Sequence, residues 1–258
     1  MSLEIIIKTC DGESVHGSNS QRFCQTDKKT LILKCLNSIL YAVSGRGENT
    51  KITIIDDASS SECIDSIQKI LSSYRHPSEL IVREKRDYNE ATLQYFELAR
   101  NSENTLVYLV EDDYLHFPNA IAEMEYFYKH AFSQLHGTKD IVLHPFDDPI
   151  NYLSEYMEKS HIVQHGSRHW RTNSHTTCTF LTTPNIINRG WEHFENFAKN
   201  YRKDSTVCED NTINNVWRNE SVQLFTPMPS LALHMQFEEN MDRVVDWKRL
   251  WETIPNFS

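Results

Sequence analysis

The chain has 258 residues, 39% of them apolar and 24% charged, with a formal net charge of −10 at pH 7. That length holds one sizeable α/β domain with an ample core. The acidic balance argues against a nucleic acid partner, which needs Lys and Arg to displace counterions from phosphates, and no apolar run approaches the roughly 20 residues that cross a bilayer.

Cys10, Cys24, Cys35, Cys63, Cys178 and Cys208 form no CxxC pair, so zinc through these thiols is not expected. Met1-Ser2-Leu3-Glu4 lacks the basic and then apolar segments of a secretory signal. A reduced, cytoplasmic protein is expected, at most peripheral at the inner face of a membrane.

In chain order, Leu3 to Thr9 reads as a short buried strand, followed by a polar loop with Gly12, Gly17, Ser18, Asn19 and Ser20. Leu31, Cys35, Leu36, Ile39, Leu40 and Val43 recur at helical spacing. Lys51 to Ile55 is a second strand ending in Asp56-Asp57-Ala58-Ser59-Ser60. A helix through Ile64 to Leu71, a strand at Leu80 to Val82 and a helix from Ala91 to Arg100 follow. Thr105 to Val110 is the fourth strand, ending in Glu111-Asp112-Asp113, and Pro118 suits the first turn of the helix after it.

Strand and helix in alternation imply a mostly parallel sheet with helices on both faces, whose ligands gather beyond the carboxyl ends of the strands. The second half is less regular and mixed: short strand-like pieces between His161 and Thr183, a helix opening at Thr183-Pro184, a shorter one over Val207 to Trp217, and a strand at Val222 to Phe225. Phosphate-binding glycine motifs are absent.

Both acidic clusters fall at strand ends. Three acids directly after a buried strand repel one another unless a cation joins them, and hard oxygen ligands suit magnesium or manganese held together with substrate phosphates. The simpler alternative, acids favouring a helix start, explains Asp113 but not all three. Asp56 or Asp57 can accept hydrogen bonds from a nucleobase or a ribose hydroxyl, although Asp and Ser also suit turns and caps.

Leu31-x-x-x-Cys35-Leu36-x-Ser38-Ile39, Ile54-Ile55-Asp56-Asp57-Ala58-Ser59, Arg86-Asp87-Tyr88-Asn89-Glu90-Ala91 and Tyr108-Leu109-Val110-Glu111-Asp112-Asp113 together resemble glycosyltransferase family 2 and its GT-A relatives, in order and spacing, over about the first 120 residues. The resemblance implies a single GT-A-like domain over 1–258: residues 1–120 would form the nucleotide-sugar half and 121–258 the acceptor side and tail. It implies a metal-dependent, inverting glycosyltransferase that moves a sugar from a nucleoside-diphosphate sugar to a hydroxyl of a glycan or glycoconjugate, with Mn2+ or Mg2+. Carried over, Thr9, Asp56, Asp57, Arg86, Asn89 and Asp112 would meet the donor, while Asp113, Glu111 and the late His234 would hold the metal. The acidic pair Glu209-Asp210 would supply the general base. Thr206-x-x-Glu209 also fits a capping box, which would occupy Glu209 and leave Asp210 as the base.

Glu-Asp-Asp in place of a plain Asp-x-Asp, and a long polar insertion after the first strand, depart from the family pattern. Arg168-His169-Trp170-Arg171 and Ser174-His175-Thr176-Thr177 are rich in donors and suit either the acceptor side or a surface loop whose Trp170 fills a core gap. His161, His165 and His169 would share a helix face, but Gly166 spoils the helix. A sugar-phosphate nucleotidyltransferase is disfavoured by the acidic, arginine-poor Cys10-Asp11-Gly12-Glu13-Ser14, and a response-regulator receiver by the length. A non-catalytic nucleotide- or glycan-binding relative stays open.

Overall fold

The computed structural model describes residues 1–12, 26–46, 49–134, 140–153, 159–218, 221–235 and 245–256. Cys24 and the polar segment with Gly17, Ser18, Asn19 and Ser20 lie outside them. The strands β1 (Leu3–Thr9), β2 (Thr50–Asp56), β3 (Ser78–Val82) and β4 (Leu106–Glu111) alternate with the helices α1 (Lys28–Val43), α2 (Ser61–Ser73) and α3 (Tyr88–Arg100). They pair in parallel in the order β3-β2-β1-β4.

Beyond β4 the expected regularity gives way. Strand β5 (Tyr114–His116) comes before α4 (Ala120–Gln134), so Pro118 precedes the helix instead of opening it. The rest comprises β6 (Asp140–Leu143), β7 (Ile162–His165), β8 (Arg168–Asn173), β9 (Phe180–Thr182), α5 (Pro184–Arg189), α6 (Trp191–Asn200), α7 (Asn214–Trp217), β10 (Val222–Met228), β11 (Ala232–His234) and α8 (Trp247–Thr253). The nine-stranded sheet runs β3-β2-β1-β4-β9-β6-β10-β8-β7, and β9 and β8 run against their neighbours. The pair β11-β5 forms a separate antiparallel ribbon. Gly166, at φ +64° in the two-residue turn between β7 and β8, explains why the three histidines lie in and around a hairpin and not on a helix.

Period two sorts the strands between two cores. Leu3, Ile5 and Ile7 of β1 join α1, α2 and α4 on one side, while Ile6 joins α3 and α6 on the other. In β4, Tyr108 and Val110 take the first side, Val107 and Leu109 the second. The same alternation assigns Lys8 and Glu111, register partners across β1 and β4, to the α3 face. Helix α1 buries Leu31, Cys35, Leu36, Ile39, Leu40 and Val43 as a stripe of helical period. Among the described residues no helix is long and apolar enough to cross a membrane, and the five described cysteines are free thiols.

Candidate functional site

A cavity of about 260 Å³ opens at the carboxyl ends of β1 and β4. Its walls carry Thr9, Cys10, Gly12 and Lys8 from β1 and the loop after it, Lys28 from α1, Asp57 and Arg86 from the loops after β2 and β3, and Tyr88 from α3. Glu111, Asp112, Asp113 and His234 line it from β4, the following turn and β11, with Thr177, Tyr201, Arg202 and Glu209 from the second half. Such a crevice, where the strand order reverses at β1, is where open α/β sheets bind ligands. A larger open groove of about 560 Å³ lies beside Glu4, Gln94 and Asn101, away from these acids.

Thr9 donates to Asp56 Oδ2 at 2.7 Å, and Asp56 also accepts from the Ser59 amide at 2.7 Å and its hydroxyl at 2.6 Å. Asp56 is fully buried and holds the β2 turn together; it does not line the cavity. Asp57 does, accepting from the Asp87 amide at 2.8 Å and facing Arg83 Nε at 3.3 Å, both on Oδ1. Arg86 donates to Ala58 O at 3.1 Å across the mouth. Its guanidinium passes close to Gly12: a Cβ there would meet Nη1 at 2.1 Å and push the arginine head aside. Asn89, another expected donor contact, is buried in the first turn of α3 with its amide donated to Ala198 O at 2.7 Å and does not line the cavity.

The acids after β4 have three different environments. Glu111 is the last residue of β4, and its amide is held by Thr179 Oγ1 at 3.0 Å. Burial raises its carboxyl pKa and Asp113 adds to this, against the pull of Lys8. Asp112 points back under the first strand: Oδ2 accepts from the Cys10 amide at 2.9 Å and Oδ1 from the Lys28 ammonium. Burial raises its pKa as well, opposed by Lys28. Asp113 differs from both. Its Oδ1 is buried without a hydrogen-bond partner among the described residues, and His234 Nε2 stands 3.5 Å away. Burial works against the charge on Asp113, but His234 and Lys28 outweigh it and hold the carboxyl well below its ordinary value. In return His234, desolvated as it is, is raised by Asp113.

The β5–β11 ribbon creates this pair. His234 is the register partner of Tyr114, its ring stacks on that of Tyr114 at 4.7 Å, and the Met235 amide donates to Asp113 O at 2.8 Å. The family resemblance of the sequence implies a divalent cation, so the fit of these residues matters. A buried, unpartnered carboxylate oxygen facing an imidazole nitrogen suits a hard or borderline cation that completes its shell with water and phosphate. Among the described residues no three His, Cys, Asp or Glu side chains converge as a ready cage, so Glu111 does not complete a triad with Asp113 and His234. The chain itself fits the role of a two-ligand holder.

The second acidic pair is placed opposite to the sequence expectation. Thr206 does not cap Glu209: its hydroxyl and amide both turn to Asp204 Oδ1, at 2.7 and 2.9 Å. The short 3-10 turn at Glu209–Asn211 is instead capped by Asn211, whose side chain accepts from the Cys208 amide at 3.0 Å. The expected continuous helix from Val207 to Trp217 breaks at Thr212, which leaves the helical region at φ −126° and ψ −100°. Glu209 is thereby released into the cavity, where burial, reinforced by Glu111 and Asp210, pushes its carboxyl up to about 7. Asp210 is turned outward and bound by His175 Nδ1 at 2.8 Å, Asn214 Nδ2 at 3.1 Å and Arg218 Nη2 at 3.1 Å. These partners overcome its partial burial and lower its pKa.

The donor-rich segments also resolve. Trp170 is buried, stacked on Phe127 at 4.2 Å. Arg168 pairs with Glu123 at 2.6 Å and Arg171 with Asp147 at 2.7 Å, so neither faces the cavity. Of that region only Thr177 lines it. Sequence reasoning missed Lys8, Lys28, Tyr88, Tyr201 and Arg202. Lys8 had a signal, a charge inside an isoleucine-rich strand. Its ammonium donates to Thr92 Oγ1 at 3.0 Å and lies 4.1 Å from the Tyr88 ring centroid, and Arg202 lies 4.2 Å from that same centroid.

No protein-family model and no curated protein matches the chain. Solved structures do. TarS 1–349 of S. aureus is similar with a TM-score of 0.52 at 11% identity, over 88% of this chain and 60% of that one. The same fragment in complex with UDP gives 0.47 at 13% identity over the same shares. Mannosyltransferase PcManGT from Pyrobaculum calidifontis, in complex with GDP-Man and Mn2+, gives 0.40 at 13% identity over 58% of this chain and 36% of that one. This chain therefore spans about three-fifths of the TarS fragment. The likeness to TarS 1–349 shows the architecture alone: the chain has a GT-A-like fold, a mostly parallel sheet flanked by helices.

Proposed function

We propose that the chain transfers a sugar from a nucleoside-diphosphate sugar to a hydroxyl of a glycan or glycoconjugate, with inversion at the anomeric carbon. The observation that carries this reading is the buried Asp113 Oδ1, without a hydrogen bond among the described residues and 3.5 Å from His234 Nε2, in a cavity at the carboxyl end of the sheet. Thr9, Asp57 and Arg86 stand where the nucleoside enters. Among the described residues both side-chain contacts of Asp57 fall on Oδ1, which leaves Oδ2 for a ribose or base donor. Asp113 and His234 would hold Mn2+ or Mg2+, which when bound neutralises charge on the departing diphosphate.

Glu209 takes the proton of the acceptor hydroxyl. Its carboxyl, pushed to about 7, matches what a general base needs near neutral pH: enough basicity to accept a proton, and enough deprotonated form to act. Glu209 enters the cavity from the second half of the chain and Asp113 from the β4–β5 turn. A base and a diphosphate site on separate elements of one cavity are compatible with a direct displacement, in which attack from the face away from the leaving group inverts the configuration.

The test is the release of nucleoside diphosphate from a panel of UDP- and GDP-sugars with Mn2+ present. Asp113→Asn is expected to lose about a thousandfold in rate, the several kcal/mol that charge neutralisation at the leaving group supplies. Metal-dependent turnover unchanged in Asp113→Asn would remove the proposal's foundation.

A further inference from the structure

We propose that Lys28 binds the diphosphate of the donor directly, so that the cavity carries its own cation for the leaving group beside Asp113 and His234. This rests on the reading that the cavity takes a nucleoside diphosphate, and it adds a ligand that neither the acidic motif nor the sequence pattern points to.

Lys28 is the first residue of α1, where a cation opposes the helix dipole; the N-cap Asp27 beside it, accepting from the Thr30 amide at 2.8 Å, favours the helix, and the lysine adds nothing to it. Its side chain is only 15% exposed, it lines the cavity, and its ammonium is directed at Asp112 Oδ1. Burial alone would lower the ammonium pKa; Asp112 and Asp113 outweigh it and keep the group charged. An ammonium has three donors. Among the described residues one of them is used, by Asp112, so the others remain for an anion in the cavity.

Asp112 is correspondingly not a ligand but a mount. Both of its oxygens already accept, one from the Cys10 amide at the end of β1 and the other from Lys28. The carboxylate thus fixes the lysine head against the sheet next to Asp113, whose own oxygen is left open. Lys28, Asp113 and His234 line the same cavity, so a pyrophosphoryl group held there would lie within reach of the Lys28 ammonium.

The experiment is titration calorimetry of UDP and of GDP, each against its parent nucleoside, in EDTA and in Mn2+, on the full chain and on Lys28→Met and Lys28→Arg. In EDTA the wild-type chain is expected to bind one of the diphosphates. Lys28→Met is expected to bind it about tenfold or more weakly, the worth of a charge-assisted hydrogen bond, while Lys28→Arg retains most of the affinity. Nucleoside affinity should stay the same in all three. If Lys28→Met strands the buried Asp112 carboxylate and unfolds, Lys28→Met with Asp112→Asn removes both charges, and the same loss is read against Asp112→Asn alone. Equal diphosphate affinity with and without the lysine ammonium in EDTA would reduce Lys28 to a counter-ion of Asp112 and overturn the inference. Failure of the wild-type chain to bind any diphosphate, with or without Mn2+, would instead bring down the reading of the cavity itself, and this inference with it.

Discussion

Two pairs of adjacent acids flank the cavity, Asp112-Asp113 after β4 and Glu209-Asp210 in the second half, and each pair divides its labour differently from what sequence order suggests. In each, one carboxylate is tied to neighbouring side chains or amides: Asp112 by the Cys10 amide and Lys28, Asp210 through Oδ1 by His175, Asn214 and Arg218. The neighbour of each is left to the cavity. The pairs differ in how the open member is tuned. Asp113 faces an imidazole and is held ionised, ready to face a cation. Glu209 faces Glu111 and a desolvating wall and keeps its proton to about pH 7, which suits it to proton transfer. The neighbours of each carboxylate, more than the residue type, separate the tied acid from the one left to the cavity.

The sharpest way to break this contrast is in the second pair. Glu209→Gln is expected to lower kcat by about a hundredfold or more, the usual worth of a positioned base, with nucleoside diphosphate affinity unchanged. Asp210→Asn, acting only on the surroundings, is expected to cost less than about tenfold. The reverse ranking would return the base to Asp210. The pH profile sharpens the same point: kcat/KM should climb as pH rises through about 7, because Glu209 must lose its proton to accept another. Stability runs the other way. The folded-state value lies above the reference of 4.5, so the folded chain holds a proton there that the unfolded chain releases. That contribution is complete below about pH 4.5 and is lost as pH rises through about 7. Glu209→Gln should therefore melt higher than wild type at pH 8, by about 2–4 °C for each kcal/mol relieved.

A second division of labour lies at the end of β2, between Asp56 and Asp57. Asp56 is fully buried and accepts three hydrogen bonds, so Asp56→Ala is expected to cost about 3 kcal/mol in denaturant unfolding. Asp57→Asn should change unfolding by less than about 1 kcal/mol, yet weaken nucleotide binding by about tenfold. Calorimetry on the two variants separates these outcomes; equal loss of binding in both, at equal stability, would erase the distinction.

The strands up to β4 were legible because parallel strands buried on both faces read as continuous β-branched runs, as Ile5-Ile6-Ile7 and Ile54-Ile55 do. The acidic strand ends followed from the same reading. The β5–β11 ribbon was not legible: Tyr114–His116 and Ala232–His234 are three residues each and their partners are distant in sequence, so no local periodicity marks them. His234 was visible as a candidate, but the ribbon that brings it to Asp113 was not. The Glu209 orientation failed for a different reason. Thr206 and Glu209 satisfy the capping pattern, but Asp204 competes for both Thr206 donors at closer sequence range, and a choice between two local hydrogen bonds is decided by the turn geometry. Lys28 gave no sequence signal because its meaning depends on Asp112, 84 residues away.

The smallest expected effect tests how the β2 turn is held. Ala58 adopts φ +53°, the left-handed region, where a Cβ crowds the following carbonyl. The strain persists because the turn is fixed on both sides: Asp56 grips the Ser59 amide and hydroxyl, and Arg86 binds Ala58 O at 3.1 Å. Ala58→Gly removes the Cβ penalty of about 1 kcal/mol, while the freer unfolded chain takes back about 0.4–1 kcal/mol. The net expectation is a shift within about 0.5 kcal/mol of zero, read in denaturant unfolding, with nucleotide affinity unchanged because the hydrogen bonds that place Asp57 and Arg86 do not involve the methyl group. A loss of binding without a loss of stability would mean that the left-handed alanine itself orders the cavity mouth, and that the β2 turn belongs with the open acids and not with the tied ones.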